Sequence, residues 1–362
     1  MSNNNENNKI EIKSLLNNYN LKKKSKFQFN INKIKYFIIL ALLLIINFHK
    51  NFKRLFFKIN NLKIIKNNNF NNNIKVCICT PCKNENRYIR EFVEYYKNYG
   101  IDKIFLYDNN DINGEKLEEV IGDYVHNGLV EILNWRGEIR PIFRIMNDCY
   151  QKNYKLYNWL VFFEVDEYIH LRNFTNIKEY LNLDSFKNCQ KIHLNWVHHT
   201  DNNLIYYDNR TLHERFPEVE PNAVKNVRGS VNSVKTILRG NIPNITIDNI
   251  HTLNKTLRGC DGFGRYQVIP TINTFDSDFR YYYIDHYYSK SLQEFIEKLN
   301  KGDVAQGQAL WLKMLRINNY FRRNNITLEK LDYIEKNAHL NLSNYKEIIR
   351  KKNINNFNSN VK

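Results

Sequence analysis

Between Ile74 and Leu171 four apolar runs of strand length alternate with segments of helical period, an alternation that restricts the chain to a mostly parallel sheet covered by helices. The first run, IKVCICT, is followed by Ile89, Phe92, Val93 and Tyr96 at helical spacing, with Gly100 as the stop. A second strand, Lys103 to Tyr107, enters the polar turn Asp108-Asn109-Asn110, and a helix follows over Glu115 to Val125. The third strand, Val130 to Leu133, precedes a helix opened by Pro141, with Ile142, Ile145, Met146 and Cys149 on one face. The fourth begins at Trp159. This order collects the turns Thr80 to Glu85, Asp108 to Asn110 and Glu164 to Glu167 at the carboxyl edge of one sheet, where open α/β sheets bind ligands.

The fourth run, NWLVFFEVDEYIHL, reads as a buried strand ending in Glu164, Asp166 and Glu167. Strand residues two apart share a face, so Glu164 and Asp166 project together and suit a hard divalent cation, Mg²⁺ or Mn²⁺. The competing reading is an ordinary solvated turn or a set of structural ion pairs. The first turn, TPCKNE, lacks the glycines of a dinucleotide fingerprint or P-loop, which disfavours nicotinamide and P-loop ATP chemistry.

The net charge of +17 would suggest nucleic acid until it is located. Residues 1–75 carry 15 Lys and Arg against two acidic residues, and the remaining 287 carry 39 against 35. A basic tail, not a phosphate-tracking groove, holds the charge, so no nucleic-acid partner is expected. Residues 1–30 are rich in Asn and Lys and read as disordered. The run YFIILALLLII, Tyr36 to Ile46, is flanked by lysines and reads as a single-pass membrane anchor within 31–55, short unless its flanks extend it. Six basic residues stand on each side of it, over 22–35 and 50–66, so charge does not choose an orientation. The six cysteines lack the spacing of a zinc site or a dense disulfide framework and read mostly as buried thiols. Six N-x-S/T sequons, at Asn173, Asn209, Asn244, Asn254, Asn325 and Asn341, arise easily in so Asn-rich a chain and do not fix a compartment.

Beyond Leu171, Lys191 to Val197 reads as a strand leading to His198-His199-Thr200-Asp201-Asn202. Tyr281 to Tyr288 alternates as another strand and carries His286. Ser291 and Glu294 form a capping box for a helix lined by Leu292, Phe295, Ile296 and Leu299, with Gly302 as its stop. Lys290 and the free amides before that helix suit phosphate. The domain pattern is a tail over 1–30, an anchor over 31–55, a linker over 56–73, a catalytic domain over 74–325 and a helical tail over 326–362.

With these residues assembled, Ile74 to Asp303 resembles the GT-A glycosyltransferases, specifically family 92 and the glycosyltransferase 2-like group. The elements that carry the resemblance are KNENRYIREFVEYYKNYGIDKIFLYDNND, NWLVFFEVDEYIHL, NWVHHTDNNLIYYDNRTLHERF, VKTILRG with a later IHT, and DHYYSKSLQEFIEK. The resemblance implies a GT-A fold, Rossmann-like with helices on both faces, and metal-dependent transfer from a nucleotide-sugar donor to a hydroxyl on a glycan or glycoconjugate, inverting at the sugar. It implies Mn²⁺ or Mg²⁺ at Glu164, Asp166 and His286, although the motif is E-V-D rather than D-x-D. It assigns Asn84, Glu85 and Asp108 to the nucleotide, and by charge Lys290 suits the leaving diphosphate. Asp201 is the first candidate for general base, Glu214 the second and Asp261 the third. A membrane-held enzyme of the Golgi or another endomembrane is the expected setting, and a catalytically silent sugar-binding scaffold is the alternative.

Overall fold

The computed structural model describes residues 74–220, 234–266, 281–301, 310–338 and parts of 341–350. The tail, anchor and linker expected over 1–73 lie outside the described residues, among which no helix is long and apolar enough to cross a membrane.

The predicted alternation is present. Strands β1 (Val76–Cys82), β2 (Lys103–Asp108), β3 (Val130–Asn134) and β4 (Trp159–Val161) are parallel and lie in the order β3-β2-β1-β4. They alternate with α1 (Asn86–Asn98), α2 (Glu118–His126) and α3 (Ile142–Asn153). Helix α1 buries Ile89, Phe92, Val93 and Tyr96, the stripe its spacing predicted, and Tyr88 in addition, with a buried Ile, Phe or Val side chain contributing about 1.5–3 kcal/mol. On one sheet face Cys77, Cys79, Phe105, Tyr107 and Leu160 meet Ile142, Ile145, Met146 and Tyr150 of α3. Val76 and Ile78 alternate to the other face of β1 and are also fully buried.

The apolar run from Trp159 is not one strand. It stops at Val161, and β5 (Glu167–Leu171) begins after a turn closed by the Glu167 amide donating to the Glu164 carbonyl at 3.0 Å. Glu164 and Asp166 therefore occupy a connection, and strand alternation does not orient them. The chain continues through α4 (Ile177–Leu181), β6 (Lys191–His198), α5 (Leu212–Arg215), β7 (Val234–Arg239), β8 (Gly259–Cys260) and β9 (Tyr282–His286). These extend the sheet to β3-β2-β1-β4-β7-β6-β9-β5, with β8 beside β6. The β4–β7, β6–β7 and β5–β9 pairs are antiparallel, so the sheet is mostly parallel but mixed. Gly240 ends β7 where a Cβ would lie 1.9 Å from the Tyr157 carbonyl oxygen, which explains the glycine of VKTILRG.

Helices α6 (Leu292–Lys301), α7 (Leu310–Arg323) and α8 (Leu328–Ala338) share a second core of Phe295, Leu299, Ile317, Tyr320, Leu331 and Ile334. Helix α8, expected in a tail beginning at 326, is thus packed with α6 and α7.

The cysteine reading requires correction. Cys79 is bonded to Cys149 and Cys189 to Cys260, while Cys77 and Cys82 remain buried thiols. Sequence spacing cannot reveal such partners, because strand β1 and helix α3 bring Cys79 and Cys149 together across 70 residues. Loops of this length constrain the unfolded chain strongly. Replacing Cys189 and Cys260 together by Ser is expected to cost about 2–4 kcal/mol, read as a lower denaturant midpoint with an otherwise intact fold.

Candidate active site

Register assembles the site. β9 lies between β5 and β6, so His286 stands opposite Glu167 on one side and His198 on the other. Directly before β5, Asp166 is buried with its Oδ2 2.8 Å from Lys298 Nζ and 3.9 Å from Lys290 Nζ, and its Oδ1 3.8 Å from His286 Nε2. Burial alone would raise this carboxyl. The charges of Lys298 and Lys290 outweigh it and hold Asp166 well below the usual carboxylate range. Burial pushes the His286 imidazole well below its ordinary value, despite Asp166, so it is neutral at pH 7.

Fully buried Lys235 of β7 lies 2.6 Å from Glu164 Oε1 and 3.4 Å from Glu167 Oε1. Burial opposes its charge, but Glu164 and Glu167 outweigh that cost and keep it protonated. Burial pushes Glu167 up, while its Oε2 accepts from the Glu164 amide at 2.9 Å. Each of the other two carboxylates thus gives one oxygen to a lysine. Among the described residues, Glu164 Oε2 and Asp166 Oδ1 have no hydrogen-bond partner.

Among the described residues no three His, Cys, Asp or Glu side chains form a group that could hold a metal ion, so Glu164, Asp166 and His286 are not a preassembled centre. The lysines explain this, since they occupy the positions around the carboxylates that a cation would share. The donor types nevertheless fit a hard divalent ion: two open carboxylate oxygens and a neutral imidazole.

A cavity of ≈ 270 Å³ adjoins this cluster, lined by Asn84, Glu85, Tyr88, Lys290 and Lys298 among others. Asn84 takes a left-handed conformation, φ +52°, with its amide donating to Asn110 Oδ1 at 2.7 Å. Glu85 occupies the N-cap position of α1. The Lys290 ammonium lies 3.9 Å from the centre of the Tyr88 ring. Three of the four residues assigned to the donor therefore share one cavity wall. Asp108 does not. It is buried, with Arg136 Nη1 2.6 Å from its Oδ2 and its Oδ1 accepting from the Asn110 amide, a turn-forming role.

The three candidate bases also have structural partners. Asp201 is buried against Lys330 of α8 at 2.7 Å and accepts from the Tyr320 hydroxyl. Glu214 is exposed and closes a capping box with Thr211 at the start of α5. Asp261 is buried, bonded to Arg265 and to the amides of Phe263 and Arg265. Arg215, next to Glu214 in sequence, pairs instead with Glu294 at 2.7 Å with both side chains buried. Asp201→Asn should consequently act on stability: it removes the buried counter-charge of Lys330, which keeps the neutral Asn325 carbonyl and Asn203 as partners, at a cost of about 3–5 kcal/mol. The expected result is a lower melting temperature with near-normal turnover per folded molecule.

Sequence reasoning gave no role to Lys235, Lys298 and His251, although all three stand in the quoted motifs VKTILRG, DHYYSKSLQEFIEK and IHT. The spacing of Glu294 and Lys298, four apart in a helix, suggests a surface pair, whereas Lys298 reaches Asp166 and Glu294 pairs with Arg215. On the far side of His286 lies Trp196, with ring centres 4.2 Å apart, and His251 is 5.0 Å from Trp196. The Nδ1 of His251 faces the Val234 carbonyl at 3.2 Å, so the proton sits on Nδ1 and Nε2 carries the lone pair.

Residues 72–319 match the Glycosyltransferase family 92 signature. A glycosyltransferase family 92 protein of Ricinus communis is 27% identical over 109 residues, 29% of this chain and 19% of that protein. One from Arabidopsis thaliana is 28% identical over 95 residues, 26% of this chain and 16% of that protein. These matches span about a fifth of the relatives' own length. Among solved structures, S. aureus TarS 1-349 in complex with UDP-GlcNAc aligns over 73% of this chain and 82% of its own, with TM-score 0.34 and 11% identity. The mannosyltransferase PcManGT from Pyrobaculum calidifontis, in complex with GDP-Man and Mn²⁺, aligns over 33% and 35%, with TM-score 0.27 and 11% identity. Structural scores this low do not by themselves establish a shared fold, whereas the family signature covers more than half of the chain. The chain belongs to glycosyltransferase family 92.

Proposed function

We propose that this chain is a GT-A glycosyltransferase that moves a sugar from a nucleoside-diphosphate donor to a hydroxyl of a glycan or glycoconjugate, with inversion, while held at an endomembrane by residues 31–55. The observation that carries the reading is the meeting of Asp166, His286, Lys290 and Lys298 beside a cavity walled by Asn84, Glu85 and Tyr88. A nucleotide entering there would place its diphosphate against Lys290 and Lys298. Cleavage of the sugar–phosphate bond leaves negative charge on that diphosphate, and two fixed ammonium groups stabilise it as it forms. Glu164, Asp166 and His286 are the residues that would hold Mn²⁺ or Mg²⁺, which when bound supplies further positive charge beside the leaving group.

The acceptor hydroxyl needs a base. With Asp201, Glu214 and Asp261 engaged elsewhere, His251 is the candidate. Its tautomer is set by the Val234 carbonyl, which leaves the Nε2 lone pair to accept the proton, and Trp196 meets it edge to face. A binding and hydrolysis screen of the full chain against a panel of nucleotide sugars, with Mn²⁺, with Mg²⁺ and with chelator, tests the reading. Tight binding of one donor, weakened by chelator, is expected. A folded chain that binds none would instead favour a silent sugar-binding scaffold.

A further inference from the structure

We infer that Tyr88 is a positioning residue for Lys290 in the proposed donor site, on which the assignment rests: its ring holds the ammonium where a diphosphate would bind, and a buried ion pair holds the ring. The start of α6 offers a phosphate less than its sequence suggests. Of the amides there, Ser291 donates to Glu294 at 3.0 Å, Leu292 to the Leu204 carbonyl at 3.0 Å and Gln293 to the Ile205 carbonyl at 2.9 Å. All three are engaged within the protein. Contact with a diphosphate at this end of the helix therefore falls to the Lys290 side chain, and its placement decides how well it stabilises the charge. Lys290 takes a left-handed backbone conformation, φ +52°, which a residue other than glycine keeps only where its surroundings over-determine it.

Two groups attract its ammonium, Asp166 Oδ2 at 3.9 Å and the Tyr88 ring, whose centre is also 3.9 Å away. The carboxylate fixes it weakly, because Lys298 takes the same oxygen at 2.8 Å. The aromatic face, negative by its quadrupole, supplies the second attraction from α1. That ring is tethered. The Tyr88 hydroxyl donates to Glu294 Oε1 at 2.6 Å, and Glu294 Oε2 accepts from Arg215 Nη1 at 2.7 Å. Both charged side chains are 1% exposed, so the pair is dry and tightly held. Arg215 Nε donates to the Arg210 carbonyl at 3.0 Å, which anchors the far end on the turn before α5. Burial and the neighbouring Glu294 raise the Tyr88 hydroxyl above its ordinary range, so it remains a donor. Arg215, Glu294 and Tyr88 thus form one bonded chain from α5 through α6 to α1, and Lys290 rests on its end.

The test is a double-mutant cycle read by binding. The full chain, Tyr88→Leu, Lys290→Met and the double variant are titrated calorimetrically with UDP and with GDP in the presence of Mn²⁺, with folding followed by circular dichroism. Lys290→Met should weaken the diphosphate about 10- to 100-fold, the loss of a hydrogen bond to a charged group. Tyr88→Leu should weaken it about 3- to 30-fold. The two losses should not add. Without the ammonium the ring has nothing to place, so the double variant should match Lys290→Met within about twofold. Parent affinity in Tyr88→Leu would overturn the positioning role, and so would additive losses, which would mean that Tyr88 meets the nucleotide itself. A Lys290→Met variant that binds as tightly as the parent would instead overturn the donor site on which the assignment rests. If Tyr88→Leu does not fold, Tyr88→Phe takes its place in the cycle, since it keeps the ring and loses only the tether. It should bind more weakly than the parent, and parent affinity there would overturn the tether.

Discussion

Asp166→Asn is expected to lower sugar transfer by about 100- to 1,000-fold, the usual loss when a group that organises transition-state charge is removed. The substitution keeps shape and removes charge. In the native site one carboxylate holds Lys298 at 2.8 Å, Lys290 at 3.9 Å and the His286 imidazole at 3.8 Å. Neutral Asn would leave two ammonium groups facing each other without their shared counter-charge, so each would be displaced from the donor wall. It would also remove one of the two carboxylates that suit a divalent ion. Donor titrations by calorimetry, with and without Mn²⁺, distinguish these effects from simple unfolding. The expected result is a folded protein whose donor affinity no longer responds to the cation. Unchanged affinity and unchanged cation response would refute the placement of the donor at Asp166. Glu164→Gln is the milder comparison, because Lys235 keeps Glu167 as a second partner.

Much of the parallel half of the fold was legible because its signals are local. The α1 stripe of Ile89, Phe92, Val93 and Tyr96 is a matter of helical period, and the Ser291–Glu294 capping box announces α6 within four residues. What stayed hidden depends on distant partners. Phe162 and Phe163 are fully buried outside any strand, so hydrophobicity alone could not locate the break between β4 and β5. Lys235 and Lys298 read as surface charges until Glu164 and Asp166, 71 and 132 residues away, are brought beside them.

The site residues divide along the same line. Asn84 and Glu85 came from the resemblance and Lys290 from the start of its helix, and the structure puts the three on one wall. Asp201 was chosen for its place in the family-like turn HHTDNN, but motif position cannot distinguish a reactive carboxylate from one buried against a lysine 129 residues away. His251, the base proposed in its place, comes beside Trp196 only once β6, β7 and the turn at His251 meet.

His251→Gln should reduce turnover by about 100- to 10,000-fold, the range for removal of a general base, while leaving donor affinity within a few-fold of the parent. Glutamine can still donate to the Val234 carbonyl and fill the space beside Trp196, so geometry is largely retained and proton acceptance is lost. The pH profile gives a separate check. Burial, reinforced by the charge of Lys235, lowers the His251 pKa below its ordinary value. A base must be unprotonated to act, so the parent's activity should persist below pH ~6.5 and fall only as the pH drops through the lowered value. The Gln variant should lack that acidic limb. Slow hydrolysis of donor by water, which needs the same leaving-group stabilisation, should survive through Lys290 and Lys298. If instead His251→Gln lost donor affinity in step with turnover, His251 would belong to the donor side of the site and the acceptor proton would have to leave by another route.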